Sequence, residues 1–325
     1  MSMVASPSPS PSTLVPSPLS PTAPAKTAAV CTLFEGDYHL GAGALINSLH
    51  ASGFAGRVIC GHRGPPPPWA ESARRLDSAL EVAFVPVTST HHLTYYKPEF
   101  LRLCWEQHAA AATQLYYCDP DLVVKAPWTV LDRWAHDGIA VCEDVNAYLP
   151  ARHPYRLAWT DFLAAHNLAA QRPLDRYYNA GFIGLPRADA DFLNVWQRVI
   201  HCVEKYLGSL GSLKTGTPNS LVHSADQDAL NMALMVSTMK INGAGPECMD
   251  FAPGGYLLSH AIGPAKPWRG KYFLHALRGR PPGAAHKAFL QHASTPLKIF
   301  SPVRLSTLRT SAAAGSLLGR VYRRS

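Results

Sequence analysis

Short uncharged apolar runs alternate with amphipathic stretches along this chain from residue 28 onward. The first run, 28–34, has neither charge nor turn former, the pattern of a strand buried on both faces. After it, Leu40, Ala44, Leu45 and Leu49 fall on one face at helical spacing, and Gly53 supplies a stop. "RVIC" predicts a second strand, and the four prolines that follow predict a stiff loop, because proline cannot donate to a ladder. A helix over "WAESARRLDSAL", a strand over "EVAFVPV" and a helix over "KPEFLRLCWEQHAAAA" come next. Pro98 sits in the first turn of that last helix, where a missing N–H does no harm. "QLYYC", "GIAVCED" and "NAGFIGL" read as strands, and "DFLNVWQRVIHCVEKYL" and "DQDALNMALMV" as helices. Such alternation predicts an α/β fold, a mostly parallel sheet with helices on both faces. Ligands of these sheets bind outside the carboxyl ends of the strands.

At one of those ends stand Asp119 and Asp121, one residue apart directly behind "QLYYC". Close like charges repel, and burying either is costly without a counter-charge. Two further pairs share the spacing. Asp189 and Asp191 precede a helix, where an N-cap and an acidic first turn account for them. Asp226 and Asp228 also precede a helix, so capping competes there with a site role. Asp119 and Asp121 differ, because the extended run "LVV" follows them. An Asx-turn with Pro120 is the structural explanation that remains. The functional one is a divalent cation on hard carboxylate oxygens, which in turn binds a diphosphate. A diphosphate needs further positive charge, and "SHAIGPAKPWRGKY" offers His260 as an imidazole ligand and Lys266 as a phosphate partner.

Composition bounds the setting. The 325 residues, 47% hydrophobic, can bury one large core or two smaller ones. Residues 1–26 are low-complexity Pro, Ser and Ala, which predicts a disordered tail. No apolar run reaches the roughly 18–20 residues of a spanning helix, and the start lacks the regions of a secretory signal. Seven cysteines stand singly without a CxxC pair, as buried thiols of a reducing compartment do. These features together predict a cytoplasmic protein. The net charge of +8 is uneven: no acidic residue follows Asp250, yet twelve Lys and Arg do. Residues 296–325 read as a basic tail whose interleaved apolar residues suit peripheral contact with the inner face of a membrane. No nucleic-acid-binding motif accompanies the charge, so nucleic acid is not expected as a partner. The Gly/Ser/Thr-rich stretch 208–220 predicts a mobile flap. Trp105, Trp134 and Trp196, at helical positions, are expected in the core, and His91 and His92 are given no role.

With these segments in view the chain resembles the nucleotide-sugar glycosyltransferases of the GT-A fold. Among them it is most similar to family 8, the glycogenin and bacterial lipooligosaccharide galactosyltransferase type. The resemblance runs in order from 28 to 268. It is carried by "CTLFEGDYHLGAGALINSL", the Asp119-Pro120-Asp121 motif, "YYNAGFIGL", "DQDALN" and the closing "HAIGPAKPW". It implies a GT-A domain over 27–295 that holds Mn²⁺ or Mg²⁺ through Asp119, Asp121 and His260. Lys266 would meet the diphosphate and Gly263 would admit it close to the backbone. Tyr38 would stack on the base, while Thr32 and Phe34 would line the nucleoside pocket. Lys97 and Arg102 are candidate donor contacts, Asn179 and Asp226 would touch the sugar, and Gln227 would lie near the anomeric carbon. The implied reaction moves a sugar from a nucleotide-linked donor, with UDP expected, to a hydroxyl of a glycan, lipid-linked or protein acceptor. A glutamine at 227 favours retention; Asp226, Asp228 and Glu143 stay open as bases for an inverting route. Two alternatives share the architecture. A sugar-1-phosphate nucleotidyltransferase needs a basic Gly-rich loop after its first strand, and "LFEGDYHLGAG" has no basic residue of that kind. A non-catalytic glycan-binding relative need not keep the full metal and phosphate set.

Overall fold

The structure, a computed structural model, describes residues 28–76, 79–146, 148–213 and 220–321. Nine strands and ten α-helices are arranged along them as follows. The first half runs β1 (Ala28–Glu35), α1 (His39–Ala51), β2 (Gly56–Arg63), α2 (Ala70–Ala73), β3 (Leu80–Pro86), α3 (Lys97–Leu103), β4 (Gln114–Cys118), β5 (Leu122–Val124), α4 (Trp128–Trp134) and β6 (Ile139–Glu143). The second half runs α5 (Pro154–Ala165), β7 (Tyr178–Pro186), α6 (Phe192–Leu207), α7 (Ala225–Val236), β8 (Ile241–Ala244), β9 (Leu258–His260), α8 (Tyr272–Leu277), α9 (Ala284–Gln291) and α10 (Pro302–Val321).

Seven strands form one sheet in the order β3-β2-β1-β4-β7-β6-β8. All neighbours are parallel except at β7, which runs against both β4 and β6. The reversal puts the start of β7 at the same edge as the end of β4. Each face of the sheet carries its own core. α3, α6 and α7 cover one, around Trp105, Trp159 and Trp196. α1, α4, α9 and α10 cover the other, around Trp128 and Trp268. The central strands β1, β4 and β7 are buried almost throughout, which is why they read as apolar runs rather than as alternations. β5 and β9 pair as a separate antiparallel ribbon beside the carboxyl end of β4.

The elements depart from the sequence reading at several places. The helix expected over 69–80 is only the single turn α2, since the chain leaves helical geometry after Arg74. Helix α3 widens into a π-type turn over Cys104–His108. Asp191 stands at the start of α6, but its carboxylate meets the Asn194 side chain and caps no backbone N–H. The segment after residue 295 is not a free tail. Leu297, Ile299 and Phe300 are buried, and Leu305, Leu308, Ala312 and Gly315 form a face of α10 that packs on α8. Asn47 of α1 fastens that return: its side chain donates to the carbonyls of His292 (2.6 Å) and Leu297 (3.0 Å) and accepts from the Leu297 N–H (2.7 Å). The disordered tail expected over 1–26, and residues 214–219 of the expected flap, lie outside the described residues.

Candidate active site

Backbone pairing assembles the acidic motif. The Asp119 N–H donates to the Gly181 carbonyl at 2.7 Å, tying the end of β4 to the start of β7. The chain turns there, with the Leu122 N–H on the Asp119 carbonyl at 3.1 Å, and enters β5. In the β5–β9 ribbon, Leu122 faces His260, and the Ala261 N–H bonds the Asp121 carbonyl. Register alone therefore brings together residues 139 positions apart. His260 Nε2 lies 3.1 Å from Asp121 Oδ1 and 3.8 Å from Asp119 Oδ2. Gly181 makes room for the imidazole, since a Cβ there would lie 2.3 Å from His260 Cε1.

Each aspartate has its own lysine. The Lys97 ammonium sits 3.0 Å from Asp119 Oδ1, which also accepts from the Tyr117 hydroxyl at 2.9 Å. Lys266 Nζ donates to Asp121 Oδ2 and to the Ala261 carbonyl. Burial pushes the Asp121 carboxyl upward, but the adjacent His260 and Lys266 outweigh it and hold the group well below the ordinary range. Burial, reinforced by Asp119, keeps the Tyr117 hydroxyl protonated and able to donate. Asp226 faces the same space, 4.0 Å from Lys97. Burial raises its carboxyl, with Lys97 opposing and Asp119 adding to the rise. Asp119, Asp121 and His260 offer two carboxylates and one imidazole, with ligand atoms all within 4.8 Å of one another. Hard oxygens with a single borderline nitrogen are a donor set that fits a divalent cation, so these three residues could hold one.

A second cluster lies where β7 and α7 begin. Gln227 accepts from the Ala180 N–H and donates to Asp144 Oδ2, both at 3.2 Å. Asn179 Nδ2 donates to that same oxygen at 2.7 Å. The other oxygen, Asp144 Oδ1, accepts from the N–H and side chain of Asn146 at 2.6 and 2.7 Å. Sequence reasoning gave Asp144 no role. The available signal was Asp-x-Asn directly behind a strand, the mark of an Asx-turn.

Of the residues expected here, Phe34, Tyr38, Asp119, Asp121, Asn179, Asp226, Gln227, His260, Gly263 and Lys266 do line one cavity of about 320 Å³. It lies at the carboxyl end of β1 and β4. Tyr38 meets Trp268 edge-on at 5.2 Å, with the Lys266 and Arg269 cations 5.6 and 5.8 Å from its ring. Gly263 has φ +82°, a conformation that leaves backbone bare at the cavity edge. Five other residues named from the sequence lie off the cavity wall. Thr32 is fully buried on β1 and is not among the cavity-lining residues, although its neighbour Leu33 is. Lys97 is buried as a counter-ion, its ammonium also bonded to the Ala180 carbonyl, and is no free donor contact. Arg102 is on the exposed face of α3, paired with Glu106. Glu143 is engaged by Arg176 at 2.6 Å and lies off the cavity wall. Asp228 accepts from the Tyr177 hydroxyl and from the N–H groups of His223 and Ser224, which makes it a support for the start of α7.

Among solved structures, the bifunctional glycosyltransferase WbbM matches 90% of this chain with a TM-score of 0.53 at 15% identity. The galactosyltransferase LgtC, solved with donor and acceptor sugar analogues, matches 86% of this chain and 99% of its own, with a TM-score of 0.51 at 17% identity. GlyE of Streptococcus pneumoniae matches 88% with a TM-score of 0.52 at 14% identity. The fold is that of these glycosyltransferases. The match spans 99% of LgtC but only 52% of WbbM and 64% of GlyE, so this chain corresponds to about half to two thirds of those two proteins. No protein-family model and no curated protein matches the sequence.

Proposed function

We propose that the chain is a metal-dependent glycosyltransferase that takes a nucleotide-linked sugar, UDP-linked by preference, and transfers it to an acceptor hydroxyl with retention. The observation that carries this reading is the Asp119–Asp121–His260 cluster with Lys266 beside it on the wall of the cavity. Mn²⁺ or Mg²⁺ would be held by those three side chains. When bound, the ion supplies Lewis-acid neutralisation of the charge that grows on the leaving diphosphate. Lys266 adds a cation to the same oxygens, which is electrostatic stabilisation rather than proton transfer. Tyr38, flanked by Trp268 and two cations, offers a face to the base. Asn179 and Gln227 meet the sugar as neutral amides whose orientation Asp144 fixes.

Retention is supported by what stands near the sugar. Gln227 is an amide and cannot act as a base, and Glu143 and Asp228 are tied into ion pairing and helix support; Asp226, which does line the cavity, is read as a sugar contact. LgtC, whose fold this chain shares, has been solved as an active-site glutamine-to-glutamate variant. We further propose a lipid-linked glycan as the acceptor, presented at an anionic membrane surface. That partner is supported by exposed Phe273, Leu274 and Leu277 on α8 and exposed Leu317 and Val321 on α10, set among Lys271, Arg278, Arg280 and Arg320.

The test is release of UDP from a panel of UDP-sugars with and without Mn²⁺, followed by NMR of the freed anomer. The expected result is metal-dependent release of the α-anomer from an α-linked donor, lost in Asp121→Asn. Release indifferent to metal and to that substitution would overturn the reading.

A further inference from the structure

The two lysines at the acidic motif differ in a way that gives one of them a second role. Lys97 is anchored: its ammonium is buried under α3, bonds Asp119 and the Ala180 carbonyl, and lies 4.8 Å from the Tyr117 ring centre. Lys266 has partners of the same kinds, Asp121 Oδ2, the Ala261 carbonyl and the Tyr38 ring at 5.6 Å. But it lines the cavity, which Lys97 does not, and it stands three residues beyond Gly263, on a connection rather than on a regular element. Asp121 thus gives one oxygen to His260 and the other to Lys266. A cation entering between Asp119, Asp121 and His260 meets an ammonium already on one of its ligands. Two positive charges sharing one buried carboxylate repel strongly.

We propose that Lys266 is a resident counter-cation of the metal site, displaced from Asp121 when metal binds and thereby delivered to the diphosphate. The proposal rests on the glycosyltransferase reading above. It makes Lys266 an opponent of metal binding and a supporter of nucleotide binding at once. Metal frees the ammonium for the phosphates, and the phosphates draw it off Asp121, so each ligand favours the other beyond their direct contact. That coupling is reciprocal by thermodynamic necessity. A phosphate contact alone would give Lys266 no effect on binding of the metal by itself.

The experiment titrates Mn²⁺ alone into wild type, Lys266→Met and Lys266→Gln, followed by electron paramagnetic resonance at fixed pH and salt. It is repeated with saturating UDP. Both variants are expected to bind Mn²⁺ alone about tenfold more tightly than wild type, in keeping with the coupling of close charge pairs. Both are expected to bind UDP more weakly in saturating Mn²⁺, and to show a smaller gain in Mn²⁺ affinity when UDP is added. Circular dichroism and thermal melting establish that each variant is folded; two neutral replacements of different polarity guard against the loss of either one. Unchanged or weakened affinity for Mn²⁺ alone in the folded variants would overturn the proposal. Wild type that binds no Mn²⁺ with or without UDP would instead overturn the metal-dependent reading on which it rests.

Discussion

At the scale of single residues, Asp144 shows how one carboxylate sets the direction of two amides. Asn and Gln can present either oxygen or nitrogen, and a shared acceptor decides which. Because Asp144 Oδ2 takes both Nδ2 of Asn179 and Nε2 of Gln227, both amide oxygens are turned away from it; each meets a backbone N–H, of Gly181 and Ala180 respectively. Asp144→Asn keeps the shape but offers one acceptor oxygen and a competing NH₂. We expect kcat to fall about tenfold with the donor KM little changed, since the bonds affected orient groups rather than bind nucleotide. A change confined to KM would move Asp144 from positioning to binding. The same scale shows where sequence is blind. Asp119, Asp121, His260 and Lys266 were legible because an ordered set of short motifs names them. Asp144 was missed, and the surroundings of Lys97 and Arg102 were not foreseen, because they depend on where a side chain points, and spacing on a helix or loop does not fix that.

At the scale of elements, the start of α7 divides two acids one residue apart between different tasks. Asp226 faces the cavity, while Asp228 satisfies the N–H groups of His223 and Ser224 and the Tyr177 hydroxyl. Asp228→Ala strands those buried donors, at a cost of about 2–3 kcal/mol. We expect a lower melting temperature and a lower urea midpoint, with the proposed release of UDP by the remaining folded protein largely kept. Full stability with activity abolished would return Asp228 to the catalytic residues. The alternation of strands and helices was readable through the first half of the chain, where buried parallel strands are unbroken apolar runs. β8 and β9 were not seen, since four and three residues are too few to establish a period. Nor could the reversed direction of β7 be read, because a strand buried on both faces has the same pattern either way.

At the scale of the whole molecule, charge and apolar exposure gather at the C-terminal side, where α8 and α10 pack together. Among the described residues no helix is long and apolar enough to cross a membrane, so any contact would lie at the surface. We expect the protein to sediment with vesicles containing phosphatidylglycerol but not with pure phosphatidylcholine, and to be released by salt. Replacing Phe273 and Leu317 with Ser should weaken that binding without altering release of UDP. Equal retention on both vesicle types would exclude an anionic lipid surface as the partner. Composition revealed the basic excess; it did not reveal that the segment is a helix with one face buried, since α10 must dock before its stripe has meaning.

The Asn47 clamp has a consequence for the order in which the protein is made. Its amide in α1 is completed only by residues 292 and 297, up to 250 positions later. Synthesis at roughly 5–20 residues per second separates the two by some tens of seconds. Throughout that interval the Asn47 amide has water in place of those partners. A chain truncated before residue 292 would lack them altogether, and we expect its α1 layer to pack less stably, read as a lower melting temperature.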